Sequence, residues 1–414
     1  MLDMYLKTPK TIQRLRSGPS GQYMDGFASL LKEQGYPYTT ATKYLRSASH
    51  FGWFLRHRKG AVSSINDETL AAFRRHLTRC RCPLRHGGKA IHHTQYGAKL
   101  FVKYLRDIGI IRRQSANSAQ DTELPVIVAF RKWLQTHRGA AEATLKQYCR
   151  SAALLLDHLG SDTSRYDAKN VRDFFQQQAS QISRSSTEKL STSLRAFLRY
   201  LSIHGDCETG LDRAIPTVAC WRLASLPRCL TATEVQRVLD SCDGDSPRGI
   251  RNRAIILLLA RLGLRAGDVA GLRLSDIDWQ NGTVLVVGKA RCEVSLPLPQ
   301  EIGDAILKYL ECRPRVETDR LFVTTIAPFR PFQRGDSVSS VVKGVMRRAG
   351  VESPRKGAHI LRHTAATEML RQGCSLYQIG AVLRHRTIDT TAYYAKVDVA
   401  LLKQVAQPWP EVIQ

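Results

Sequence analysis

Ala254-Ile-Ile-Leu-Leu-Leu-Ala260-Arg-Leu-Gly-Leu-Arg265-Ala-Gly-Asp268 opens as a near-continuous apolar run and closes on glycine and charge. A run apolar from Ala254 to Leu264 has no polar face to offer solvent, so it reads as a buried helix. On its C-terminal side the period changes. Gly282 after Asn281 marks a hairpin turn, and Thr283-Val-Leu-Val-Val287 and Glu293-Val-Ser-Leu296 read as strands around a second turn at Gly288 to Arg291. From Gln300 onward the pattern is helical again. On the N-terminal side, Thr231-Ala-Thr-Glu234 is a capping box that opens a helix. Residues 225–414 therefore read as one mixed α+β block with a small antiparallel sheet.

Upstream the chain reads as helices alone. Phe27, Leu30 and Leu31, then Tyr44, Ala48, Phe51 and Phe54, recur at helical spacing, and Thr69–Leu77 and Ala98–Leu105 are amphipathic. This first block, from about Gly21 to Ile111, is assigned to a domain at 1–115. A second, from about Glu123 to His204, is assigned to 120–207. The two match in order. Tyr44-Leu-Arg-Ser-Ala48 corresponds to Tyr148-Cys-Arg-Ser-Ala152, Ile65-Asn-Asp to Tyr166-Asp-Ala, and Phe101-Val-Lys-Tyr-Leu105 to Phe197-Leu-Arg-Tyr-Leu201. Any two small helical bundles share some spacing, but an ordered series favours duplication of one bundle. Polar Arg112–Thr122 reads as a linker, as does Gly205–Arg228 with Gly210, Pro216 and Pro227.

A chain of 414 residues is too long for one ordinary core, in keeping with several domains. Lys and Arg number 62 against 36 Asp and Glu, a net charge of +26. Such a surplus calls for a polyanionic partner, and nucleic acid is the commonest. An anionic membrane fits less well, since no apolar run is long enough to span a bilayer and no lipidation motif is present. Met1–Arg16 is basic but lacks the apolar core of a secretory signal. Ten scattered cysteines without an export signal read as reduced cytosolic thiols. Cys80 and Cys82 with His86, His92 and His93 raise the question of zinc. A C-x-C pair followed by irregularly spaced histidines matches known ligand spacings poorly, and no metal is expected there.

The chemistry-bearing residues lie in the third block. Arg261-Leu-Gly-Leu-Arg265-Ala-Gly-Asp268 follows the buried helix, Lys289 stands in the hairpin, and His359-Ile-Leu-Arg362-His363 comes later. Leu383-Arg-His385 then precedes Tyr394 by nine residues from its histidine. In this order and spacing, residues 225 to 400 resemble the catalytic domain of the tyrosine recombinase (phage integrase) family. The second block is similar to that family's SAM-like core-binding domain. The resemblance implies a mainly α, multidomain fold, with two amino-terminal helical bundles preceding the catalytic domain. It also implies a site-specific DNA recombinase of integrase or transposase type. Such an enzyme cuts and rejoins strands through a 3′-phosphotyrosyl intermediate, with no metal, nucleotide or other cofactor.

The resemblance implies these roles. Arg265 and Arg362 clamp the scissile phosphate, for which a permanently charged, forked guanidinium suits. Lys289 is the general acid for the leaving 5′ oxygen. His359 acts at the attacking tyrosine or the phosphate, His385 donates to a phosphate oxygen, and Tyr394 rather than Tyr393 is the nucleophile. Bland readings stand beside these: Arg265 paired with Asp268 on a helix surface, a solvated hairpin lysine, and tyrosines packed in a core. The family usually has glycine where Arg384 stands; glycine there permits a tight or left-handed backbone, and an arginine is tolerable if the position is a helix cap with ordinary dihedrals. Val397–Val405 reads as a short helix passed to a neighbouring subunit, and the partners expected are double-stranded DNA and a homotetramer on synapsed sites. Partner recombinases and accessory DNA-bending proteins are further candidates. The place expected is the bacterial cytoplasm, at the nucleoid. A type IB topoisomerase and a DNA-binding regulator with a decayed site are the rival classes. The tail and duplicated bundles argue against the first, and the full residue set against the second.

Overall fold

The computed structural model describes residues 1–82, 91–111, 124–219, 228–242, 244–288, 293–353, 357–385 and 387–397. The fold is mainly helical with one small sheet. The chain forms two compact units, Met1–Arg112 with Ser225–Gln414, and Arg113–Ala224. No described helix is long and apolar enough to cross a membrane.

The first bundle contains α1 (Pro9–Arg16), α2 (Met24–Glu33), α3 (Tyr38–His57), α4 (Asp67–Arg79) and α5 (Ile91–Asp107). It begins earlier than the periodicity suggests, because Leu2, Tyr5, Leu6 and Leu15 are buried in its core. The second bundle contains α6 (Pro125–Arg138), α7 (Glu142–Leu159), α8 (Ala168–Ser180) and α9 (Arg184–His204). Part of the expected linker after it is structure rather than tether. Leu211, Ala214 and Ile215 are buried in its core, and Arg195 donates to the Ile215 carbonyl at 2.8 Å.

The two bundles are built alike in detail. Asn66 and Asp167 each close a capping box at the start of a 13-residue helix, α4 and α8, after a single 3-10 turn. Phe27 meets Phe101 edge-to-face at 5.2 Å, and Phe130 meets Phe197 edge-to-face at 5.0 Å. Tyr104 and Tyr200, one helical turn further on, complete the two aromatic triads. The sequence matches thus coincide with the same packing motif in both copies.

The expected partners of Cys80 and Cys82 are not the residues found beside them. His92 and His93 are exposed on α5, while His50 of α3 and His76 of α4 face the two sulfurs. His50 lies thirty residues upstream, where ligand spacing along the chain cannot reveal it. His86 lies outside the described residues.

The C-terminal block carries α10 (Ala232–Asp240), α11 (Pro247–Ala260), α12 (Ala266–Gly271), β1 (Ile277–Asp278), β2 (Thr283–Val287) and β3 (Glu293–Pro297). It continues with α13 (Gln300–Cys312), α14 (Gly335–Arg348), α15 (Ala358–Arg371), α16 (Leu376–Leu383), α17 (Ile388–Ala392) and a 3-10 turn at Tyr393–Val397. Ala254 through Leu259 of α11 are fully buried, with α13, α14 and α15 packed round them. The sheet is antiparallel in the order β1-β2-β3, pairing Val284 with Ile277 on one side and Leu296 on the other. Gly282 makes its turn at φ +60°, in the left-handed region that Asn-Gly hairpins use. The loop before α14 reaches the first bundle: Ala327 packs against that bundle's core, and a Cβ on Gly35 would stand 2.5 Å from the Phe329 ring.

Candidate active site

Four segments converge at the end of α11: the turn into α12, the first turns of α15, the end of α16, and the segment from α17 to Tyr394. Arg362, on α15, is buried, and both terminal nitrogens of its guanidinium donate to backbone carbonyls, those of Gly263 and Leu383. Gly263 is at φ +60°, and a Cβ there would meet Leu383 at 2.5 Å, so only glycine brings its carbonyl to the arginine. Arg265, the N-cap of α12, donates from Nη2 to the Arg384 carbonyl at 2.8 Å. The surface ion pair weighed for Arg265 and Asp268 is absent as such. The Asp268 carboxylate accepts from the Arg265 backbone N–H at 3.2 Å, and its charge partner is Arg384, at 2.5 Å.

Arg384 does not meet the condition of ordinary dihedrals: it is the C-cap of α16 at φ 54°, ψ 53°, which is left-handed. A side chain there costs ~1–2 kcal/mol relative to glycine. The offset is its ion pair with Asp268, in which the two side chains are 7% and 9% exposed. Nε and Nη1 of Arg384 are buried without a hydrogen-bond partner among the described residues. Asp268 thus pairs with Arg384, while the guanidiniums of Arg265 and Arg362 donate to backbone carbonyls. Burial first, and the neighbouring arginines second, bring Arg362 down to about 10, so it stays charged at neutral pH.

Tyr394 is 2% exposed. Its hydroxyl lies 2.8 Å from Nδ1 of His363. Burial pushes the phenol up to about 12, against the pull of Arg362 in the opposite direction. The His385 ring lies parallel to that of Tyr394, 4° between planes and 6.3 Å between centroids. Its Nδ1 sits 2.7 Å from the hydroxyl of buried Thr391. Burial, then Arg362 and Arg265, hold His385 down at about 4, so the ring is neutral at physiological pH. Thr391 can come this close because residue 380 is glycine: a Cβ there would stand 3.0 Å from the threonine oxygen.

Of the six residues expected at the site, the structure brings together Arg265, Arg362, His385 and Tyr394. His359 is exposed at the start of α15, its ring 6.2 Å from that of His363 one turn on. The residue hydrogen-bonded to the tyrosine hydroxyl is His363, whereas His359 was expected at the tyrosine or the phosphate. Positions four apart share a helix face, and His363 is the one deeper in the block. Lys289 lies outside the described residues, as does the tail helix beyond Val397. The sequence reading missed functional places for His363, Asp268 and Thr391. The signal for His363 was present, since it adjoins Arg362 in the quoted motif.

The phage integrase family matches residues 228–400. Along nearly the whole chain, the sequence is 36% identical over 406 residues to a Sinorhizobium fredii protein named as an integrase/recombinase. The match covers 96% of this chain and 97% of that one. The chain belongs to the phage integrase family of tyrosine recombinases. Tyrosine recombinase XerD of Listeria monocytogenes is 27% identical over 298 residues, covering 68% of this chain and 96% of its own. Among solved structures, the XerH recombinase in a post-cleavage complex with difH substrate shares the fold with TM-score 0.54 at 18% identity. That match covers 83% of this chain and 97% of the other. A lambda integrase dimer bound to a core site gives 0.53 at 17%, over 69% and 98%. A tyrosine recombinase performs site-specific recombination.

Proposed function

We propose that this recombinase cleaves double-stranded DNA by attack of Tyr394 on a phosphodiester, forming a 3′-phosphotyrosyl ester, and rejoins strands by reversing the step. The observation that carries this reading is the 2.8 Å contact of the Tyr394 hydroxyl with His363 beside the buried arginines. A phenol held near 12 does not ionise at neutral pH. His363 Nδ1 accepts its proton as the oxygen bonds to phosphorus, and the 5′ oxygen departs with a proton from an acid, the role assigned to Lys289. The net +2 of three guanidiniums and one carboxylate matches the doubly charged phosphorane better than the singly charged diester, so it favours the transition state. His385 donates from Nε2 to a non-bridging oxygen, and His359 contacts the phosphate from the exposed end of the same helix as His363. None of these steps calls on a metal or a nucleotide.

A surplus of +26 suits DNA as the partner. The domains at 1–115, 120–207 and 225–414 would then divide the work. The second bundle and the catalytic block would each contact the core site, and the first would add outer DNA contacts. A homotetramer on two synapsed duplexes is the working assembly. The test uses a nicked suicide duplex carrying the target site, with denaturing electrophoresis as readout. The wild-type chain and Tyr393→Phe form a covalent protein–DNA band, and Tyr394→Phe forms none while still binding the duplex. A band retained by Tyr394→Phe and lost in Tyr393→Phe would move the nucleophile to Tyr393.

A further inference from the structure

We propose that His50, His76, Cys80 and Cys82 form a structural zinc site that fastens α3 to the end of α4 in the first bundle. Their four ligand atoms all lie within 4.8 Å of one another. Three of them converge on a single ring nitrogen. Nε2 of His50 is 2.8 Å from Cys82 Sγ, 3.3 Å from His76 Nε2 and 3.5 Å from Cys80 Sγ. One imidazole nitrogen can give or accept a single hydrogen bond, so hydrogen bonding satisfies at most one of these approaches. A cation at the centre satisfies all of them together.

The distances suit zinc. Zn–N bonds of about 2.0 Å and Zn–S bonds of about 2.3 Å give tetrahedral edges of roughly 3.3 Å between nitrogens and 3.5 Å between nitrogen and sulfur. The observed edges are 3.3 Å for the two histidines, 3.5 Å for His50–Cys80 and 3.7 Å for His76–Cys82, with His50–Cys82 the short one at 2.8 Å. Two thiolates and two imidazoles are a donor set that zinc favours over magnesium or calcium. Two thiolates also cancel the charge of the ion, which matters because His50 and Cys80 are 2% and 3% exposed. Four protein ligands leave no open position, which marks the site as structural rather than catalytic.

The geometry around the site is fixed by packing. The His50 ring stands edge-to-face on Phe73 at 5.4 Å, and the His76 ring lies 5.1 Å from Phe54, so both imidazoles are aimed by the hydrophobic core. Cys80 is the C-cap of α4, where the chain turns extended, and Cys82 follows two residues later. That turn sends both sulfurs back toward the helix pair.

The test is the metal content of the full chain, expressed with added zinc, desalted and measured by inductively coupled plasma mass spectrometry. About one zinc per chain is expected. Cys82→Ser and His76→Ala should each lower it at least roughly tenfold, while Cys207→Ser, in the second bundle, should leave it unchanged. Should the ligand variants fail to fold, wild-type chain reconstituted with cobalt(II) decides the matter. Intense visible ligand-field bands with thiolate charge transfer support a tetrahedral two-sulfur, two-nitrogen site. Soluble wild-type chain that takes up neither zinc nor cobalt overturns the proposal. So does zinc retained in both variants, or the weak spectrum of octahedral cobalt.

Discussion

Replacing Asp268 with alanine isolates what holds the phosphate clamp together. The variant leaves the Arg384 guanidinium, 7% exposed, without its charge partner, and takes the acceptor from the Arg265 backbone N–H. Removing one member of a buried pair costs about 3–5 kcal/mol. The lower end is taken here, because the Arg265 backbone N–H loses a single acceptor and Arg384 keeps the solvent-facing 7% of its side chain. For a unit this size, about 3 kcal/mol lowers the melting temperature by roughly 6–10 °C. Adding Arg384→Gly to Asp268→Ala removes the stranded charge and also suits the left-handed φ of 54°. The double variant should therefore lie within about 1 kcal/mol of wild type, the remainder being one lost backbone hydrogen bond. Arg384→Gly alone should cost little, since relief of the backbone offsets part of the loss. The pair is thus coupled by about 2 kcal/mol in a double-mutant cycle. Calorimetry of the four proteins supplies the energies, and covalent adduct formation reports whether Arg265 still finds the carbonyl of residue 384. Additive losses, with the double variant less stable than Asp268→Ala, would refute the idea that Asp268 sustains the conformation of Arg384.

Lys289→Ala should cleave ordinary DNA slowly, by about 10²–10⁴-fold, and regain speed on a duplex whose 5′ bridging oxygen is sulfur. A variant equally slow on both substrates removes Lys289 from the acid role. His385 is held at about 4 in the folded chain against about 6.5 unfolded, so between those values only the unfolded state binds the proton. Its contribution to stability is then complete above about pH 6.5 and declines as pH falls toward 4, by about 2 kcal/mol once solvent screening at this partly buried ring is included. Melting curves across that range should flatten in His385→Asn, and parallel curves would contradict the assignment.

What could be read from the chain was whatever repeats or punctuates. The Thr231–Glu234 capping box and the Asn281-Gly282 turn depend on near neighbours and stand where they were read, while the buried run Ala254–Leu264 is helical only to Ala260, before exposed Arg261. Arg265, Arg362, His385 and Tyr394 were legible because each sits in a short motif with fixed neighbours. Contacts made across the fold were not. Asp268 and Arg384 are 116 residues apart, and Thr391 serves His385 only because α17 crosses Gly380. That Arg384 can hold a left-handed cap was not legible, because the Asp268 carboxylate that pairs with it comes close only in three dimensions. His50 escaped for the same reason: helix α3 brings it to Cys80 and Cys82 from beyond any ligand spacing.

The anchoring of the arginines has a further consequence. Arg362 leans on the Leu383 carbonyl and Arg265 on that of Arg384, and both acceptors belong to the end of α16, the segment that leads directly to Tyr394. Undocking that segment would withdraw the nucleophile and disarm the electrophile's cradle in one motion. Under the proposed mechanism, losing that segment would take away the tyrosine and the arginines' anchors together, so stray water would meet no phosphate held in a charged cradle. The recombinase's safety catch and its trigger are then the same piece of backbone.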